Sequence, residues 1–113
     1  MKKFTKSLIL IFLLLNLSYA ASFPEPGLGQ KYYMVFMKNA TGMKGSDFTK
    51  LQTMLEWKEL FDNDGEKFIE VYSNKFPALE PFLRSEDFQK FRVDLRHFFM
   101  FFAKDALGVA AGC

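Results

Sequence analysis

Cysteine and histidine are nearly absent from this 113-residue sequence, which contains one of each, Cys113 and His97. One cysteine excludes an internal disulfide, and an ordinary zinc site needs a cluster of thiolate, imidazole or carboxylate ligands. Histidine-assisted catalysis needs a nucleophile beside the imidazole, whereas His97 stands between Arg96 and Phe98 in a helical pattern. We therefore predict no metal, no cofactor and no enzymatic activity, with His97 as a polar edge residue of a helix.

The sequence also lacks an excess of positive charge once its first 20 residues are set aside. It has 15 lysines and arginines against 13 acidic residues, but Lys2, Lys3 and Lys6 all precede residue 20. Without them, 12 basic residues face 13 acidic ones and the net charge is near −1. A nucleic-acid-binding protein needs a basic face to displace counterions from phosphates, so this class is excluded.

Residues 1–20 have the order of a cleaved signal peptide. The three lysines precede an unbroken apolar run from Leu8 to Leu15, and Ser18 and Ala20 put small residues at the −3 and −1 positions of a cleavage site. The run is well short of the roughly 20 residues that span a bilayer. We expect a secreted, extracellular protein whose mature form, from Ala21, has no stable membrane span.

Phenylalanine is abundant, with 15 copies in the chain and 13 of them after residue 20. Burying one fully contributes roughly 1.5–3 kcal/mol, but a domain of this size has little interior. Either the core is unusually aromatic, or part of this apolar surface faces a ligand or another protein.

The pattern of apolar residues predicts an all-α fold, a small bundle of three or four amphipathic helices. Prolines and glycines indicate a mobile leader over 21–45, in which the short apolar segment Tyr32–Met37 favours a helix. We assign 46–108 to the helical domain and 109–113 to a flexible tail. A first amphipathic helix is predicted from Asp47 to Asp62.

The last helix has the clearest pattern, with Ser85 as its N-cap and Gly108 at its end. Its apolar stripe at spacings of three and four consists of Phe88, Phe91, Leu95, Phe98 and Phe102.

Three short motifs have a chemical interpretation. Asn39-Ala40-Thr41 is an N-glycosylation sequon. Cys113, as an odd cysteine in an oxidising compartment, predicts an intermolecular disulfide or else an unpaired thiol without a role. Asp62-Asn63-Asp64-Gly65 resembles part of an EF-hand loop, but that register puts Leu60 and Val71 at ligand positions. We interpret this segment as a turn between helices.

A stretch of about 26 residues is similar to the A-to-CD-corner pattern of globins, through Trp57, Phe68, Phe76-Pro77 and Phe82. The last helical phenylalanine and the proline are closer together than in that family, and a normal proximal-histidine region is missing. Haem binding is therefore not predicted.

Two functions remain open. The first is a secreted, non-enzymatic protein that binds an apolar ligand such as a fatty acid, with the stripe of the last helix lining the site. The alternative is a secreted protein-interaction factor, a homodimer linked through Cys113, with the same stripe as an interface. The sequence does not decide whether the stripe lines a cavity or an interface.

Overall fold

The computed structural model describes residues 26–106. The predicted signal peptide (1–20), the start of the predicted leader and the tail with Cys113 lie outside the described residues. Every regular element between Pro26 and Ala106 is helical, and no strand occurs in this range. The all-α prediction is therefore confirmed for the part of the chain that the structure describes.

The described part of the chain starts with a helical segment that lies within the range 21–45, for which a mobile leader is predicted. Helix α1 (Pro26–Tyr32) continues into a π-helical turn (Tyr33–Met37) and then α2 (Lys38–Thr41). Gly42 ends the segment with a φ of 69°, a conformation that glycine adopts without strain. The helical preference predicted for the apolar segment Tyr32–Met37 is confirmed.

Two of the residues that favoured a leader, Pro26 and Gly29, lie in α1. Pro26 opens α1, where its missing N–H costs nothing. Gly29 lies where α1 crosses the last helix, and a Cβ at this position would collide with the Asp94 carbonyl oxygen and with Cβ of Phe98. The glycine thus permits a helix contact that no larger residue allows.

The helix predicted from Asp47 to Asp62 is divided in two. A short α3 (Gly45–Phe48) and a 3₁₀ turn (Thr49–Leu51) end at Gln52, which is extended. Helix α4 (Met54–Lys75) then starts with a capping box. Its two bonds run from the Glu56 N–H to Thr53 Oγ1 (3.1 Å) and from the Thr53 N–H to Glu56 Oε1 (2.8 Å).

Helix α4 is itself interrupted where the turn was predicted. Asp62 is extended, and Asn63, Asp64 and Gly65 have φ values of 54°, 59° and 75°. A Cβ on Gly65 would lie 3.2 Å from the Phe88 ring. The EF-hand-like residues 62–65 therefore form a kink in α4, and this kink packs against Phe88 of the last helix.

A 3₁₀ turn (Pro77–Leu79) and α5 (Glu80–Leu83) lead to the last helix, α6 (Glu86–Phe101). The Phe88 N–H donates to Ser85 Oγ at 3.4 Å, in agreement with the predicted N-cap. The helix ends at Phe101, before the predicted Gly108. Beyond Phe101 the chain turns toward the residues at the start of α4. The Lys104 N–H donates to the Gln52 carbonyl (3.3 Å), and the Asp105 carboxylate accepts from the Met54 N–H (2.8 Å).

The core is a continuous cluster of aromatic rings. Trp57 lies at its centre, 4.8 Å from Phe99 and 5.6 Å from Phe48 between ring centroids. Its indole N–H donates to the buried Thr49 carbonyl at 2.9 Å. Such ring pairs add about 0.5–1.5 kcal/mol each beyond burial. The fully buried large side chains are Trp57, Tyr33, Tyr72, Phe48, Phe61, Phe68, Phe88, Phe99, Met37, Leu79, Leu83 and Leu95.

Candidate functional site

The predicted stripe of α6 is divided between the interior and its edge. Phe88 and Leu95 are fully buried and Phe98 almost so, and all three belong to the core cluster. Phe91 and Phe102 are half-buried and pack against the outside of that cluster. The stripe is therefore mainly a packing face, and Phe91 is the member that leads to a surface feature.

Phe91 belongs to a row of stacked, half-buried rings that we call the aromatic row, formed by Tyr32, Phe91, Phe36 and Phe82. Tyr32 stacks on Phe91 with centroids 4.0 Å apart and planes 22° from parallel. Phe36 lies 5.6 Å from Phe91 and 4.8 Å from Phe82, at 26° and 7°. Each ring keeps part of its surface exposed to solvent.

Three parts of the fold position this row. Tyr32 and Phe36 are four residues apart, so the helical segment from α1 into the π-helical turn presents them on one side. Phe91 comes from α6 and Phe82 from α5. The close crossing at Gly29 brings the first helical segment and α6 near enough for Tyr32 and Phe36 to stack on Phe91.

Lys90 adds a positive charge to the row. Its Nζ lies 5.5 Å from the centroid of the Phe91 ring, within the range of a cation–π interaction. The row therefore combines a strip of apolar surface with a cation at one side, which suits an amphiphile with a negative head group.

His97 is half-buried on α6, and its Nδ1 has no hydrogen-bond partner. Burial lowers the pKa of its imidazole below the ordinary 6.5, the Arg96 charge lowers it further, and Asp94 opposes the shift. The side chain is thus held neutral at physiological pH, as a packed helix residue would be.

A polar cleft lies beside the kink of α4. It is lined by Asn63, Asp64, Glu66, Ile69, Glu70, Arg84 and Gln89. Arg92 pairs with the exposed Asp64 carboxylate at 3.2 Å, and Gln89 donates to the Asp64 carbonyl at 3.0 Å. Between Pro26 and Ala106, no three histidine, cysteine or acidic side chains are grouped so as to hold a metal ion.

The sequon lies on the short α2, with Asn39 exposed. The hydroxyl of Thr41 lies 2.7 Å from that of Tyr33, which donates to the Met43 carbonyl at 2.8 Å. Burial raises the pKa of Tyr33 above its ordinary value, and the bond to Thr41 partly offsets this. The other predicted modification residue, Cys113, lies outside the described residues.

Sequence reasoning missed three members of the aromatic row, Tyr32, Phe36 and Phe82. The spacing of Tyr32 and Phe36 was a usable local signal, but their partner rings come from distant parts of the chain. It also missed the capping box, although Thr53 and Glu56 have its S/T-x-x-E spacing.

Comparison of the chain with protein families, curated proteins and solved structures finds no match. Within residues 26–106, none of the helices combines the length and apolar character needed to cross a membrane.

Proposed function

We propose that this chain is a secreted, non-enzymatic helical protein that binds an apolar ligand such as a fatty acid along the aromatic row. The observation that carries the proposal is the stacked series of rings from Tyr32 to Phe82, which is part-exposed although the fold buries a dozen other large side chains. Sites for apolar ligands are lined mainly by aromatic and aliphatic side chains with few polar groups.

An acyl chain laid across the rings would cover their remaining apolar surface. The uncovered parts of the stacked Phe36, Phe82 and Phe91 rings offer a strip with few polar atoms, and the Lys90 ammonium near Phe91 would receive the carboxylate. The ligand would replace water on rings that are already stacked in the free protein, so the entropy cost of ordering side chains on binding would be small.

A fluorescent dansyl-labelled fatty acid tests this site. The purified protein should enhance the probe at micromolar concentrations, and Phe91→Ala should weaken binding about tenfold, as expected from the loss of roughly 1.4 kcal/mol of ring contact. Phe101→Ala is the matched control, since Phe101 is exposed on α6 but is not in the row. Failure of the wild-type protein to enhance the probe, or equal loss in both variants, would contradict the proposal.

Secretion and glycosylation form part of the same proposal. They are supported by the pattern of residues 1–20 and by the exposed Asn39 side chain. Protein collected from the medium of eukaryotic cells should begin at Ala21 and carry a glycan that Asn39→Gln removes. Intact mass before and after glycosidase treatment measures both, and a retained N-terminus would contradict the cleaved signal.

The protein-interaction alternative is favoured by one observation. Phe101, at the end of α6, is 50% exposed and precedes Cys113 by a short stretch of chain. A homodimer would cover this ring and be linked by the cysteine. Under non-reducing conditions it would run as a dimer that Cys113→Ser abolishes, whereas a monomer in gels and in solution would exclude it.

A further inference from the structure

Charge is unevenly distributed between the first helical segment and α4. Residues 26–46 contain three lysines, Lys31, Lys38 and Lys44, and no acidic residue, and this range is flanked in sequence by Glu25 and Asp47. Helix α4 contains six acidic residues against three lysines. The first segment is therefore locally basic although the net charge after residue 20 is near −1.

The same segment exposes apolar side chains between its lysines. Leu28, Met34 and Val35 are 41%, 52% and 62% exposed. They recur at helical intervals with Lys31 and Lys38, which are also exposed. We call these five residues the outer face. Its counterpart is the inner face of Gly29, Tyr33 and Met37, which is buried against the core.

The π-helical turn contributes to this arrangement. A π-helical turn contains an extra residue relative to an α-helical one, and such turns often occur at functional sites. Here two consecutive apolar residues, Met34 and Val35, are exposed while Tyr33 and Met37 on either side are buried. The two most exposed apolar residues of the outer face therefore lie within the π-helical turn.

We propose that the outer face docks the protein on a negatively charged lipid bilayer. A helix that lies at a membrane interface buries apolar side chains at the head-group boundary and keeps lysines near anionic phosphates. The outer face meets both requirements and has no acidic residue along its own segment. On the neighbouring α6, Asp94 lies against Gly29 through its backbone, and Asp47, which follows the segment in sequence, acts electrostatically on Tyr33 of the inner face.

This proposal goes beyond the fatty-acid site and does not depend on it. The outer face contains no residue of the aromatic row, neither Phe91 nor Phe82, so a substitution can disrupt lipid binding at one surface without removing a residue of the other. An exposed apolar residue elsewhere supplies a matched control: Leu55 on α4 is 61% exposed, almost the same as Val35, but it is followed by Glu56 and Glu59.

Vesicle co-sedimentation tests the docking. The secreted protein, with any N-glycan removed enzymatically, is mixed with vesicles of phosphatidylcholine alone or with phosphatidylglycerol added. We expect binding to the mixed vesicles at least tenfold tighter than to the neutral ones, and weaker binding as salt is raised, because surface charges are screened.

Variants then assign the binding to the outer face. Val35→Asp should weaken binding more than about tenfold, while Leu55→Asp should leave it unchanged. Each of Lys31→Glu and Lys38→Glu should cost about fivefold or more, and the corresponding arginine variants should retain binding. Circular dichroism melts check that each variant is folded, and the fatty-acid probe, used without vesicles, should still bind to Val35→Asp.

Three results would overturn the proposal: no binding to the mixed vesicles, equal binding to neutral and anionic vesicles, or equal losses from Val35→Asp and Leu55→Asp. If Val35→Asp instead abolishes self-association in sedimentation velocity while vesicle binding is absent, the outer face contacts a second copy of the chain.

Discussion

The core and the aromatic row contain the same kinds of residue but differ in how far each ring is buried. In the core, rings such as Phe99 and Phe68 are enclosed on all sides by other rings. In the row, rings such as Phe36 and Phe91 stack on one another but keep part of their surface in solvent. Phenylalanine content alone therefore does not tell how much a ring contributes to the core, because that depends on how completely the fold buries it.

The largest effect should come from a core ring. Phe99→Ala removes a fully buried side chain that contacts Trp57, Phe48 and Phe68. We expect a loss of about 3–5 kcal/mol in the free energy of unfolding, a large share of the stability of an ordinary domain. Urea unfolding followed by Trp57 fluorescence measures this. A loss below about 2 kcal/mol would mean that the core is loosely packed.

Gly29→Ala tests the crossing that brings the row together. The new Cβ would meet backbone and side-chain atoms of α6, so overpacking should cost about 1–3 kcal/mol. The better helix propensity of alanine offsets up to about 1 kcal/mol of this cost. Gly27→Ala is the control, since nothing lies within 4 Å of its Cβ position. Equal thermal stability of the two variants would contradict the close crossing.

Phe91→Ala provides the direct contrast with Phe99→Ala. Because the Phe91 ring is only half-buried, we expect a loss of about 1–2 kcal/mol, together with the loss of probe binding described above. The same urea titration gives the comparison. If the two alanine variants lose equal stability, the row is a part of the core and its proposed role as a binding surface fails.

Thr53→Ala should have a smaller effect, about 1 kcal/mol, because it removes the N-cap of the helix that carries Trp57. Glu56→Gln is the control, because the glutamine side chain can still accept the hydrogen bond from the Thr53 N–H. Hydrogen bonds from Thr53 lower the pKa of the Glu56 carboxyl, so the capping contribution is present above the ordinary pKa and is lost as pH falls through the lowered one. The largest cause of the lowered pKa is the backbone N–H of Thr53, which alanine retains. Acid titration of stability should therefore be flatter in Glu56→Gln, which has no carboxyl to protonate, and less changed in Thr53→Ala.

The smallest effect concerns His97, at the edge of the core. Its pKa is lowered in the folded state, so the unfolded chain takes up a proton first as pH falls below about 6.5. Stability should therefore decline between pH 7 and pH 5, and His97→Asn should reduce this slope. Thermal melts across the range measure it, and an unchanged slope would contradict the burial of the imidazole.

The helical class and the N-cap at Ser85 could be predicted because they depend on local spacing. The stripe of α6 was also visible, but whether Phe98 is enclosed and Phe91 is not depends on helices far away in sequence. The helix at Pro26–Tyr32 could not be read from the sequence, because prolines and glycines also suit an extended segment and the contact of Gly29 with α6 joins distant parts of the chain. The early end of α6 likewise depends on Asp105 reaching Met54.

The pairing of α1 with α6 has a consequence for synthesis. The first helix of the described chain packs against the last, and the Met54 N–H donates a hydrogen bond to Asp105, 51 positions later. A ribosome must therefore have synthesised the chain through Asp105 before these contacts can form. Until then, core rings such as Trp57 and Phe48 lack their α6 partner Phe99, so burial of the core has to follow synthesis of the last helix.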